Sequence, residues 1–256
     1  PYSYETLNYF SKEPNPAPPS AENWLGTDDR GRDVFARLLY GFRVSVLFGL
    51  ALTLIGAIVG TFTGAMMGFF GGRFDLIAQR LLEVWSSLPE LYLLIIFASI
   101  FTPSIGLLIV LLSLFGWMGL SAYVRAEFYR NRSLDYVKAA RAMGLSSWQI
   151  MWRHIMPNSL TPLITFLPFN MSAAILMLTS LDFLGLGVPP STPSLGELLA
   201  QGKANLDAWW IVVSTFVVLV LTLVLLTFMG DALRDAFDTR LSFAQLRTRQ
   251  KPAGVK

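Results

Sequence analysis

The 256-residue chain contains no cysteine and a single histidine, His154. The first absence removes any disulfide framework, thiolate nucleophile or Cys-based metal site. The second removes a histidine cluster and any triad that needs both His and Cys. Charge is scarce too, at 14% of residues, where an ordinary soluble domain carries about 25%. The phosphate loop G-x-x-x-x-G-K-[ST] is also missing, so the chain cannot itself cradle ATP in that manner. What fills the sequence is apolar: 54% hydrophobic residues, 19 Phe, 7 Trp and a mean hydropathy of +0.52. The 20 Gly suit packed membrane helices.

A hydrocarbon core of about 30 Å needs roughly 20 apolar residues in a helix. Residues 44–70 meet that without one charge, and further apolar runs cover about 84–101, 104–124, 159–181 and 209–229. The expected fold is therefore all-α, a polytopic transmembrane helix bundle with five spans. Lys and Arg set its orientation. With 125–158 in the cytoplasm, 14 of the 20 Lys and Arg fall on that side and 6 on the other. That puts the C-terminus inside and the 185–208 loop outside. The expected organisation is an extracytoplasmic linker at 1–22, containing Pro-rich NPAPPS, then an amphipathic segment at 23–43 with Phe35, Leu38 and Leu39 at helical spacing. A membrane domain at 44–232 and a basic cytoplasmic tail at 233–256 follow. The tail lacks interleaved aromatics and reads as solvated or lipid-facing, with no nucleic-acid partner. The chain opens on Pro1 without a signal peptide, as a fragment would.

One polar island interrupts the apolar runs: DYVKAARAMGLSSWQIMWRHIMPN, residues 135–158. Tyr136, Ala139, Ala140 and Met143 share one face of a short helix, with Ser133 as its expected N-cap and Gly144 placed to end it. Ser146 and Gln149 form a capping-box pattern that opens a second helix, striped by Trp148, Met151, Trp152 and Ile155. Pro157 is expected to stop it continuing on the same axis. The pair reads either as a membrane-surface cover or as a docking knob, in which small Ala residues admit a partner's groove and Gly144 fixes the angle.

Residues 138–157 resemble the EAA signature of ABC importer permeases, E-A-A-x3-G-x9-I-x-L-P. Ala139, Ala140, Gly144 and Pro157 match, while Lys138 stands for the Glu, His154 for the Ile and Met156 for the Leu. NWLGTDDRGRDVFARLLYGFRVS (23–45) and LDFLGLGVPPSTPSLGELL (181–199) resemble stretches of dipeptide and oligopeptide permeases of the C-subunit type. With VRAEF (124–128) and QGKANL (201–206), the pattern is similar to the Yej-type branch, associated with microcin C and peptide uptake. The likeness covers about 20–240.

The resemblance implies a type I ABC importer permease in a bacterial inner membrane, with two short cytoplasmic coupling helices at 133–157. It implies docking of ATPase subunits through Lys138, Ala139, Ala140, Gly144, Trp148, His154, Ile155 and Pro157. Those ATP-binding cassette subunits bind ATP and Mg; this chain binds no cofactor or metal and has no catalytic residue. The other implied partners are a homologous sister permease in a heterodimer, an extracytoplasmic substrate-binding protein and the lipid bilayer. The family has six spans, so the first is expected to lie outside this sequence.

Within the spans, Glu90 beside Pro89 is a carboxylate at membrane depth, where a functional role is the default hypothesis. Asn170 adds a mid-span amide in a run interrupted by Pro162 and Pro168. Asp182, Gly185 and Gly187 fit an outer gate or a tight turn, with the turn favoured. Glu83 fits a functional role or pairing with Arg80. Trp209 and Trp210 fit an interfacial belt, and Gly64 and Gly68 a weak G-x-x-x-G packing motif. The rival function is a secondary transporter or channel whose island is a membrane-surface helix pair, with Glu90 as its deep carboxylate.

Overall fold

Asp33 is where the chain turns helical. Its backbone is extended and its carboxylate accepts the Ala36 N–H at 2.8 Å, an N-cap. The helix α1 (Val34–Phe70) then runs 37 residues, about 55 Å at 1.5 Å per residue. It ends at Gly71, whose φ of 61° favours glycine. The structure is a computed structural model that describes residues 3–5, 14–189 and 191–237, without the side chains of 160–162. Of the basic tail expected at 233–256, residues 233–237 are the end of the last helix and 238–256 lie outside the described residues.

The amphipathic segment expected as a separate unit at 23–43 is not separate. Residues 34–43 are the first turns of α1, because no proline interrupts 34–70 and Asp33 supplies the cap. Of the expected stripe only Leu38 is buried, while Phe35 and Leu39 are exposed, and the segment belongs to a helix that continues into the span. Nor is the preceding stretch a free linker throughout. Ala17 is buried, donating its N–H to Thr27 Oγ1 at 2.8 Å and accepting the Thr27 N–H at 2.9 Å.

After α1 come α2 (Gly72–Ser86) and α3 (Glu90–Ile100), bent by 60° at their junction. Next are α4 (Ile105–Ser113) and α5 (Met118–Asn131), interrupted over 114–117. Two short elements follow, α6 (Asp135–Ala142) and α7 (Ser147–Gln149), and a π turn, Ile150–Ile155, leads into α8 (Met156–Phe183). The series ends with α9 (Leu195–Ala204) and α10 (Trp209–Phe237). Four stretches are long and apolar enough to span a membrane, and α2 with α3 makes a fifth if the bent pair is one span. The run expected at 84–101 is broken where Pro89 supplies no N–H and turns Leu88 away from helical backbone.

α1 is the axis of the bundle. A Cβ on its Gly60 would lie 2.8 Å from the Trp117 carbonyl oxygen, and Cβ atoms on Gly64 and Gly68 would collide with the carbonyls of Ser121 and Arg125. Glycine spaced by four therefore brings the α1 backbone onto the α5 backbone, and the seam reaches one turn beyond the Gly64–Gly68 pair noted in sequence. At one end of the bundle, Val34 and Leu38 pack with Leu195, Leu198 and Ile211. In the middle, Phe48 packs with Leu94, Leu108, Leu112, Leu178 and Leu181. At the other end, Phe69 and Phe128 pack with Val137, Ala140, Met151 and Ile155.

The α9 end carries an ionic cluster. Arg32 Nε donates to Asp28 Oδ2 at 2.6 Å and its Nη2 reaches Glu197 Oε1 at 3.4 Å. Arg37, fully buried in α1, lies 3.4 Å from Asp28 Oδ2 and also pairs with Glu197. The segment before α1 is thereby fastened to α9.

Candidate docking face and central cavity

The α6–α7 corner is built from local backbone chemistry. α6 ends with Gly144 at φ 79°; the Gly144 N–H donates to the Arg141 carbonyl at 3.0 Å and the Leu145 N–H to the Ala140 carbonyl at 3.2 Å. Those two bonds make a Schellman stop. Ser146 and Gln149 then exchange the side-chain-to-backbone bonds of a capping box. Ser133 is not the N-cap: that position is Leu134, and the Ser133 hydroxyl donates back to the Arg130 carbonyl at 2.9 Å. The acid–base placement on α6 includes a Lys138–Asp135 contact at 3.0 Å, both side chains exposed.

Pro157 does not break the second helix. The Met156 N–H donates to the Met151 carbonyl, an i to i−5 bond, and this wider turn accommodates a following residue without an N–H. Helical backbone continues from Ser147 through the π turn and the whole of α8, past Pro162 and Pro168. The island is thus one free-standing short helix, α6, and a helical extension of a membrane span, rather than two separate short helices.

The expected docking residues divide by exposure. Lys138, Ala139, Gly144, Trp148 and Pro157 are exposed and His154 is half-buried, whereas Ala140 and Ile155 are buried in this chain's own core. The stripe on α6 is turned from its expected position: Val137 and Ala140 face inward, and Met143 is 72% exposed. Trp148 and Trp152 lie against Phe62 of α1, with ring centroids 6.4 and 6.2 Å away. The outward face is therefore small and apolar, with Ala139, Ala142, Met143 and Gly144 exposed at the corner and Lys138 and Arg141 beside them.

Halfway along α1 and α8 lies a cavity of about 270 Å³, lined by Thr53 and Gly56, Asn170 and Ala174, Glu90, and Leu112 and Gly116. Two helix interruptions meet near it, 87–89 before α3 and 114–117 before α5. Both indoles close the second one: Trp85 and Trp117 Nε1 donate to the Leu114 carbonyl at 3.1 and 3.0 Å. Irregular backbone at membrane depth persists where it is shielded or lines a cavity. Glu90 and Asn170, singled out separately in sequence, thus line one space. Thr53, buried with its hydroxyl unpartnered, was missed, because a Thr in an apolar run carries no signal of its own.

Asp182, Gly185 and Gly187 are elsewhere, at the α9 end. The Gly185 N–H donates to the Asp182 carbonyl and the Leu186 N–H to the Leu181 carbonyl, a second Schellman stop with Gly185 at φ 74°. The buried Asp182 carboxylate accepts the Val188 N–H at 2.8 Å, and a Cβ on Gly187 would collide with it. That is the geometry of a turn. Glu83 pairs with Arg80 on the surface.

The sequence profile of the family described as binding-protein-dependent transport system inner membrane component matches residues 60–243. The chain belongs to that family. The match takes in α6, α7 and every lining residue of the cavity except those before 60 in α1. Among relatives of this family member, the peptidoglycan transport system permease protein YejE of Agrobacterium fabrum (strain C58) is 54% identical over 86% of this chain and 58% of its own length. The inner membrane ABC transporter permease protein YejE of Escherichia coli (strain K12) is 51% identical over 91% of this chain and 68% of its own length. The dipeptide transport system permease protein DppC of Bacillus subtilis (strain 168) is 34% identical, over 88% and 71%. The chain therefore spans somewhat more than half the length of the first of these. A chain of the MetNI methionine ABC transporter, solved in inward-facing conformations, aligns with a TM-score of 0.61 at 17% identity, covering 78% of this chain and 95% of that one. The two share a fold.

Proposed function

We propose that this family member is the membrane permease subunit of an ATP-driven importer that carries peptides or peptide-like compounds across the inner membrane. ATPase subunits, which bind the ATP and Mg, dock on the α6–α7 corner from the cytoplasm, where the C-terminus also lies. A homologous sister permease completes the pathway, and an extracytoplasmic binding protein delivers substrate at the α9 end. The observation that carries this reading is the corner itself: an exposed, small-residue face set by Gly144 and the Ser146–Gln149 box, mounted on α8 without a break. The named peptide permeases among the relatives support the substrate class.

Displacement of α7 acts on one end of a continuous helix whose middle carries Asn170 and whose far end carries Asp182. ATP-driven movement of the docked subunits thereby reaches the central cavity, and coupling follows when the inward- and outward-open states differ in their affinity for ATP and for the binding protein.

The absence of cysteine makes the test clean. Ala139→Cys, exposed at the corner, is introduced as the sole thiol and treated with a short bifunctional cross-linker in native membranes; Ser191→Cys, exposed at the α9 end, is the control. Capture of an ATPase through position 139 and not 191 is the expected result. Lipid adducts or self-cross-links alone, from folded protein, would instead favour a secondary transporter with a membrane-surface helix pair.

A further inference from the structure

We propose that the central cavity is a recognition site for a protonated amine, with the Glu90 carboxylate as its counter-ion and Asn170 and Thr53 as its hydrogen-bonding partners. This rests on the importer reading and names the chemical group of the substrate that the permease grips.

Glu90 lies in the first turn of α3, where the helix dipole favours negative charge. Among the described residues its side chain has no ion pair and no hydrogen bond, and the Asn170 side chain has none either. The Thr53 hydroxyl is buried and equally unpartnered. Thr53 is buried and Glu90 and Asn170 are half-buried. A buried hydroxyl is normally satisfied, and three polar side chains on one space that bond no other described residue are the pattern of a site awaiting a ligand. The ligand's sign follows from the charge map. No Lys or Arg occurs anywhere in 44–72, 81–124 or 154–202, the segments that supply every lining residue. Among the described residues no Lys, Arg or His lines the space, so the cation that would meet Glu90 is assigned to the ligand.

The geometry also restricts what enters. A volume of about 270 Å³ is slightly below the roughly 300 Å³ at which cavities begin to enclose whole small molecules, so the space takes one end of a ligand. An ammonium has three N–H donors, and the three acceptors here are a carboxylate, the Asn170 carbonyl oxygen and the Thr53 hydroxyl. The apolar remainder, Leu52, Leu112, Ala173, Ala174 and Met177, suits the carbon atoms that follow. The helix interruptions at 87–89 and 114–117 place this site where discontinuous spans gather, as substrate sites in transporters commonly do.

The test measures equilibrium binding of trialanine and N-acetyl-trialanine to the purified full transport complex in nanodiscs, alongside uptake by cells. The wild-type complex should prefer the free amine by about tenfold, the size of one charge-assisted hydrogen-bonded contact, and Glu90→Gln should erase that preference. Glu90→Asp, which keeps the charge, should retain part of it. Equal affinity for both peptides in the wild type, or a preference that survives Glu90→Gln, overturns the proposal. So does failure of the Glu90→Gln complex to assemble while Glu90→Asp assembles, which would assign the carboxylate to a cation of the sister subunit. Peptide uptake without measurable binding to the complex sinks the amine site and leaves the importer standing; loss of peptide uptake in wild-type cells sinks both.

Discussion

The Asp75 carboxylate of α2 and the Arg125 guanidinium of α5 meet through two parallel hydrogen bonds, 2.5 Å from Nε and 2.6 Å from Nη2. Asp75 is buried and Arg125 only partly exposed, so removal of one partner leaves a poorly hydrated charge. Asp75→Ala should destabilise the solubilised protein by about 2 kcal/mol, less than the 3–5 kcal/mol of a fully buried pair because Arg125 keeps some water. Arg125→Lys, which keeps the charge and loses the fork, should cost about half as much. Thermal unfolding of the three proteins in one detergent checks both values.

Gly64→Ala should be worse than its chemistry suggests. The added methyl would collide with the Ser121 carbonyl across the seam, and backbone cannot move aside as a side chain can. A loss of about 2 kcal/mol is expected from overpacking. Gly119→Ala is the control, since nothing lies within 4 Å of its Cβ position; there helix propensity predicts a gain of up to about 1 kcal/mol. Equal effects at the two positions would mean that the seam does not hold the helices.

At the docking corner, fold and docking can be separated. Gly144→Ala forces a left-handed alanine at φ 79° and should cost about 1 kcal/mol while turning α6 relative to α7. Met143→Asp leaves that geometry alone, because the side chain is 72% exposed. It should leave unfolding unchanged and weaken ATPase association about tenfold, the effect of an unpaired charge in an apolar contact. Co-purification of the ATPase, paired with thermal unfolding, distinguishes the two.

Glu197→Gln removes one of the two anions that serve both Arg32 and Arg37, the other being Asp28. A cost of about 3 kcal/mol is expected for a nearly buried cluster, concentrated at the α9 end. Limited proteolysis should then cut within 14–33 before it cuts anywhere in the spans, whereas the unaltered protein should resist there.

The spans, the stop at Gly144 and the Ser146–Gln149 box were legible because each depends on residues within one helical turn or on a long apolar run. The phase of α6 was not: eight residues barely define a period, and both Tyr136 and Val137 could begin an inward stripe. The continuation past Pro157 was hidden because a π turn depends on the packing of Met151 and Ile155, which no local pattern announces. Glu90 and Asn170 stood out singly as polar residues in apolar runs, but their meeting required the fold to bring α3 beside α8. Arg37 and Glu197 are 160 residues apart and read separately as ordinary charges near a helix start.

The seam between α1 and α5 limits how the molecule can change shape. From Gly60 to Gly68 the two backbones approach directly, with only the Cβ atoms of Leu120, Val124 and Phe128 beside the contact. Thr63 Oγ1 donates to Ser121 Oγ across it at 2.9 Å, so sliding or parting would forfeit close packing and a hydrogen bond together. These two helices, with the ends of α6 and α8 that rest on them, have to travel as a single rigid body. The 60° bend between α2 and α3 lies outside that body, so any rearrangement of the proposed importer that keeps the seam intact would fall on the α2–α3 side.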